Sequence, residues 1–163
     1  MPAPSPTLQQ TLAASALATS LSADQVAVLA TVVRLATFKS GDVLAREGAP
    51  DNHLYVVVDG QLGVMAQQGT AQENPIATLG PGDFAHELGF LDGTPRYATL
   101  VAGSDATVLV LEREGLEQLV DRDPRVAYGV MRAIVRAAHR NQTRLAVQGA
   151  ELSNYVFKQH GRY

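Results

Sequence analysis

The sequence predicts a mainly β domain with flanking helices: an antiparallel β-barrel or jelly roll (a double-stranded β-helix), preceded by N-terminal helices and followed by a long C-terminal helix. Three observations lead there. Turn signals recur through the middle of the chain, at Ser40-Gly41-Asp42, Glu47-Gly48-Ala49-Pro50-Asp51, Asp59-Gly60, Gln68-Gly69, Gly80-Pro81-Gly82, Gly93 and Gly103. Turns at that density leave room only for short strands, which a closed antiparallel architecture absorbs. Before them, Ser22-Ala23-Asp24-Gln25 reads as a capping box opening a helix. After them, Pro124 stands at a first-turn position and opens a long helix that Gly149 is expected to end.

Taken in order, residues 1–6 (MPAPSP) alternate proline with small residues and are expected to be a disordered tail. The domain is expected over 7–148, with N-terminal helices in 7–35, the barrel in 36–112 and C-terminal helices in 113–148. Thr7 to Ser20 is rich in Ala and Leu and reads as a first helix. The second buries Val26, Leu29 and Val33. The strands predicted are Leu35–Phe38, Val43–Ala45, His53–Val58, Gln61–Gln67, Asn74–Leu79, Tyr97–Ala102 and Ala106–Glu112. Arg113–Asp121 reads as a short helix, and a long one runs from Pro124 to about Gln148, ended by Gly149. Residues 149–163 are expected to be a C-terminal tail.

The 163 residues, 46% of them hydrophobic, suffice for one domain with a proper core and make a second full domain improbable on size. A net charge of −3 gives no global basic bias toward nucleic acid. Without cysteine, a disulfide framework, a thiolate zinc site and a cysteine-ligated cluster are excluded. No Lys or Arg precedes Arg34, and the early apolar residues are interrupted by polar ones, so neither a signal peptide nor a membrane span is read and a cytoplasmic location is the default.

The chemistry concentrates in Gly82 to Thr99, GDFAHELGFLDGTPRYAT. Pro81-Gly82 makes a turn, Phe84 is an apolar anchor, and Glu87 to Leu91 forms about one helical turn before Asp92-Gly93 stops it. Arg96 brings a planar, permanently charged fork suited to phosphate oxygens. A glutamate beside it repels phosphate, so the natural partner of Glu87 is a neutral hydroxyl such as a sugar OH. Phosphate with ribose means a nucleotide.

This stretch resembles the phosphate-binding cassette of the cyclic nucleotide-binding domain family, found in bacterial catabolite activators and in regulatory subunits of cyclic-AMP-dependent protein kinase. Gly82-Asp83-Phe84, Glu87-Leu88, Gly93-Thr94-Pro95-Arg96 and Ala98-Thr99 carry the likeness. Gly41-Asp42-Val43-Leu44, Arg46-Glu47-Gly48, Leu54-Tyr55-Val56-Val57 and Gly60-Gln61-Leu62 extend it, so that it covers roughly residues 31–144. The resemblance implies that Glu87 accepts the ribose 2′-OH and that Arg96 holds the cyclic phosphate. Backbone N–H groups near Leu88, Gly89 and Tyr97, with Ala98 beside them, complete the cradle. It implies cyclic AMP as ligand, with cyclic GMP the alternative, and no metal. Two positions depart from the pattern: His86 stands where glycine is usual and Tyr97 where a small residue is usual. An imidazole there either fills the phosphate site or adds a second donor to it.

Along the long helix Ala127, Met131, Ile134, Ala138, Asn141, Leu145 and Gln148 recur at alternating spacings of four and three. Such a seam packs on the barrel or pairs with a second copy of the chain. By resemblance to catabolite activators the helix forms a homodimer and offers Asn141, Gln142 and Thr143 to the base. Arg132, Arg136, Arg140 and Arg144 form a basic ridge, either solvated or facing an acidic partner. Nothing after the long helix supplies a DNA-reading module.

Catalysis finds little support, since the four histidines, His53, His86, His139 and His160, show no metal-ligand spacing. A metal enzyme needs His53 and His86 to converge with carboxylates. The chain therefore reads as a non-enzymatic, stand-alone sensor signalling through its C-terminal helices to a protein partner that the sequence does not name. The alternative keeps the fold without the ligand, as an interaction module in which Glu87 pairs with Arg96 and His86 occupies the phosphate site.

Overall fold

The computed structural model describes residues 6–67, 69–71 and 73–160. The expected tail at 1–6 lies, apart from Pro6, outside the described residues. Two short helices come first, α1 (Leu8–Ala14) and α2 (Ala23–Leu29), joined through a 3₁₀ turn at Ala16–Ala18. The first helix thus ends earlier than Ser20. Both helices open with a complete capping box, Thr7 with Gln10 and Ser22 with Gln25, satisfying backbone N–H groups that a helix start leaves open.

Eight strands follow, interrupted by one helix: β1 (Val33–Phe38), β2 (Val43–Ala45), β3 (His53–Asp59), β4 (Leu62–Ala66), β5 (Asn74–Leu79), β6 (Phe84–Ala85), α3 (Glu87–Asp92), β7 (Thr99–Ala102) and β8 (Ala106–Glu112). They build two four-stranded antiparallel sheets, ordered β1-β8-β3-β6 and β2-β7-β4-β5. The predicted mainly-β jelly roll with flanking helices is the fold observed. Strand β6, two residues long, was not anticipated, and β7 begins at Thr99 rather than at Tyr97.

Strands β3 and β8 lie in the middle of their sheet and are covered on both sides. Because successive side chains point to opposite faces, Leu54, Val56, Leu109 and Leu111 pack against the helices, with Leu12, Leu29, Phe90, Leu119 and Ile134. Tyr55, Val57, Val108 and Val110 face the second sheet and meet Leu62, Leu79, Leu100 and Ala102. The jelly roll is therefore held between an inter-sheet core and a helical one.

Helix α4 (Arg113–Arg122) leads into α5 (Pro124–His160), 37 residues long, or about 55 Å at 1.5 Å per residue. Here the structure corrects the reading that Gly149 ends the helix at about Gln148. Gly149 lies inside α5, where a Cβ would meet nothing within 4 Å. A glycine in an exposed helix interior weakens it by only about 1 kcal/mol and does not break it. The expected tail is thus helical through His160. The seam is divided: Val126, Ala127, Val130, Ala133, Ile134 and Ala137 are buried against the body. From Gln142 onward every position of known burial on α5 is exposed, Leu145 by 69% and Leu152 by 66%. Only this second half is open to pairing.

Candidate ligand-binding site

The segment from Phe84 to Thr99 crosses from one sheet to the other, with α3 between. Phe90, fully buried, pins α3 to the helical core. Gly93 closes the helix in the left-handed region at φ 81°, its N–H donating to Gly89 O at 2.9 Å, the usual glycine termination. Arg113, at the start of α4, donates from Nε to Phe90 O at 2.7 Å and from Nη2 to Gly89 O at 3.3 Å. A helix this short leaves most carbonyls open, and Arg113 satisfies that of Phe90 and adds a second donor to that of Gly89.

Arg96 is buried, with 5% exposure. Its Nε donates to Asp51 Oδ2, its Nη2 to His53 O at 3.1 Å, and its guanidinium carbon lies 5.3 Å over the Tyr55 ring. Among the described residues Nη1 carries no hydrogen bond. The other Asp51 oxygen accepts from His53 N at 3.0 Å and His53 Nδ1 at 2.6 Å. The His53 ring stacks on Tyr55 with centroids 5.9 Å apart, and its Nε2 lies 3.5 Å from Glu112 Oε1. Burial pushes the Asp51 carboxyl up, but the hydrogen bonds from His53 and the Arg96 charge outweigh it and hold Asp51 below the usual carboxylate range.

The sign of the resulting pH effect follows. A depressed folded-state pKa contributes stability that is full above the unfolded value, near 3.9, and is lost as pH falls through the folded value. Acid unfolding followed by circular dichroism is expected to lose part of its steepness below pH 4 in Asp51→Asn. An identical acid limb in wild type and variant contradicts this.

Glu87 stands apart from Arg96. Its Oε1 accepts from Asn141 Nδ2 of α5 at 2.7 Å, and one helical turn on Arg144 Nη2 lies 3.4 Å from Asp83 Oδ1. The Glu87–Arg96 ion pair expected in the ligand-free alternative is therefore not formed: each group has its own partner on a different element. Asn141 and Glu87 are brought together, whereas Gln142 is exposed on the next position of α5. Leu88 and Tyr97 are exposed by 55% and 68%, and Ala98 is buried.

His86 takes the left-handed conformation, φ 65° and ψ 35°, at the start of α3, without capping the helix through its side chain. Its ring lies against Gly89, where a Cβ would come within 2.1 Å of Cε1. Nε2 donates to Thr94 O at 3.0 Å. Burial and the Arg96 charge push the His86 imidazole below its ordinary value. His53 and His86 do not converge, being held by different partners. Among the described residues no group of three or more His, Cys, Asp and Glu is placed to hold a metal ion, and no helix there is long and apolar enough to cross a membrane.

Asp51, His53, Tyr55 and Arg113 are residues of this site that the sequence reading did not assign to it. The only signal was Asp51 two residues before His53, a spacing that also describes an ordinary turn. The basic ridge is largely engaged locally: Arg136 donates to Ser20 Oγ at 2.8 Å, Arg132 lies over Tyr128 at 5.8 Å, and Arg144 reaches Asp83.

An enclosed arginine and a separate carboxylate are thus carried by one strand–helix–turn segment of a jelly roll and joined to a long helix. The sequence profile of the cyclic nucleotide-binding domain matches residues 35–123, more than half of the chain, and the chain belongs to that family. It is 23% identical over 121 residues to a CRP-like cAMP-activated global transcriptional regulator of Mycobacterium tuberculosis, covering 74% of this chain and 54% of the regulator. The chain thus spans about half the length of that relative. Among solved structures, the N-terminal domain of a transcriptional regulator from Streptomyces coelicolor superposes with a TM-score of 0.66 at 30% identity, covering 80% of this chain and 94% of that one. The regulatory subunit of a cAMP-independent protein kinase A from Trypanosoma brucei gives 0.67 at 23% identity, over 85% and 50% of the two chains, a likeness of fold alone.

Proposed function

We propose that this domain is a regulatory sensor that binds a cyclic nucleotide, cyclic AMP in first place and cyclic GMP in second, and signals through its C-terminal helices to a protein partner. It performs no catalysis and acts in the cytoplasm. The observation that carries the reading is that Arg96 and Glu87 are not spent on each other. Arg96 is pre-set by Asp51 and His53 O, Glu87 Oε1 accepts from Asn141, and among the described residues Arg96 Nη1 and Glu87 Oε2 carry no hydrogen bond. Pre-set donors lose little freedom on binding, which favours affinity. The cradle is completed by backbone N–H groups of Leu88, Gly89, Tyr97 and Ala98, with His86, Asn141 and Gln142 around the ligand.

The Asn141–Glu87 bond supplies the link to α5. A ribose hydroxyl on Glu87 changes the strength of that bond, and the equilibrium between two positions of α5 shifts by as much as the ligand's affinity for them differs. Hydrogen exchange is expected to report a cyclic-AMP-dependent change in the amides of residues 138–150 in wild type and at most a third of it in Asn141→Ala. An equal change in both places the coupling elsewhere.

The exposed half of α5 is the surface for a second copy of the chain, paired in parallel through Leu145, Gln148 and Leu152 at coiled-coil spacing. Light scattering is expected to return twice the chain mass for wild type and the single mass for Leu145→Glu/Leu152→Glu. A monomeric wild type removes the dimer.

A further inference from the structure

The cassette contains a titratable group where a titrating side chain is not required for the fold. His86 has a left-handed backbone that a glycine adopts without cost, yet its ring is accommodated because position 89 is also glycine. The two positions are matched: the imidazole occupies the space that a side chain at 89 would take. The Nε2–H bond to Thr94 O then ties the start of α3 to the loop that delivers Arg96 two residues later. A carbonyl only accepts, so Nε2 carries the hydrogen in both protonation states. Nδ1, the other ring nitrogen, has no hydrogen bond among the described residues.

We propose that His86 makes anion binding at this cassette proton-linked: its ring takes up a proton at Nδ1 when an anion binds at Arg96. The inference rests on the anion-binding reading of Arg96 given above. The groups acting on the ring are Arg96 and the Thr94 carbonyl from the following loop, Asp51 from the loop before β3 and Asp92 on α3, while Arg113 of α4 donates to Gly89 O at 3.3 Å. In the free domain, burial and the Arg96 charge push the imidazole below its ordinary value, and the Thr94 carbonyl and the two aspartates oppose them without prevailing. An anion beside Arg96 offsets that charge and adds an acceptor, so the bound-state pKa rises. Affinity therefore increases as pH falls through the bound-state value and levels off below the free-state value. Asp51 and Asp92 are both held below the usual carboxylate range and stay ionised throughout.

His86→Gln separates the proton from the brace. Its amide nitrogen is able to donate to Thr94 O but takes no charge, and glutamine tolerates this backbone, as Gln67 shows at φ 53°. Calorimetric titration with cyclic AMP from pH 8.0 to 5.5, in two buffers of different ionisation enthalpy, is expected to show proton uptake in wild type and at least about fivefold tighter binding at the lower pH. In His86→Gln the profile is expected to be flat. Binding of cyclic AMP without pH dependence, or the same dependence in His86→Gln, overturns the proposal and leaves the nucleotide reading standing. A parallel arm follows the His86 ring by NMR with and without sulfate, an anion that does not titrate in this range. If cyclic AMP does not bind but sulfate raises the His86 titration midpoint, the nucleotide reading fails and the proton-linked anion site holds. If cyclic AMP does not bind and sulfate does not move His86, both fail.

Discussion

Asp51→Ala is expected to destabilise the domain by about 3–5 kcal/mol, the usual cost of removing one partner of a buried ion pair, and to lower Tm by roughly 6–20 °C. The side chains of Arg96 and Asp51 are exposed by only 4% and 8%. Removing the carboxylate leaves a buried guanidinium whose nearest remaining partners are one carbonyl and the face of Tyr55. It also releases His53, whose backbone N–H and ring both donate to Asp51. The double variant Asp51→Leu/Arg96→Met, which replaces the pair with apolar groups of similar bulk, is expected to recover most of the stability and none of the ligand binding. A thermal melt of Asp51→Ala within 2 °C of wild type shows that the pair does not hold the site together.

Ile134→Glu is expected to prevent folding. Its side chain is fully buried among Val126, Val130, Leu119 and Phe90, and an ionised carboxylate there, together with the lost apolar packing, costs on the order of 5 kcal/mol or more. That is comparable with the whole stability of a domain of ordinary size. Far-ultraviolet circular dichroism of the refolded variant is the check, and a folded, cooperative monomer contradicts the assignment of Ile134 to the core. Leu145→Glu/Leu152→Glu, on the exposed half of the same seam, is expected to leave the melt of the body unchanged.

The contrast between Ile134 and Leu145 shows what sequence reasoning reaches. Spacing of three and four identifies a stripe on a helix, but both halves of α5 carry the same spacing, and only the position of the barrel decides which half is covered. Seven of the eight strands were readable from their glycine turns, the two-residue β6 excepted, and the capping box at Ser22 and Gln25 forms as read. Glu87 and Arg96 were readable because residue type, turn and helix start fall within one short stretch. The partner of Arg96 was not, since Asp51 lies 45 residues earlier, in a turn that gives an aspartate reason enough to be there. The same applies to Arg113, whose role is to hold carbonyls of α3 and leaves no trace in its own neighbourhood. His86 drew notice as a bulky residue in a glycine position, but its dependence on Gly89 needed the geometry.

The central claim is that Arg96, held by Asp51, binds the phosphate of a cyclic nucleotide. Isothermal titration of the purified domain with cyclic AMP and cyclic GMP, beside Arg96→Ala, tests it most directly. Micromolar or tighter binding of one of them, at least about 100-fold weaker in Arg96→Ala, is the result the account predicts. No heat and no thermal shift at millimolar concentrations of either nucleotide would contradict it.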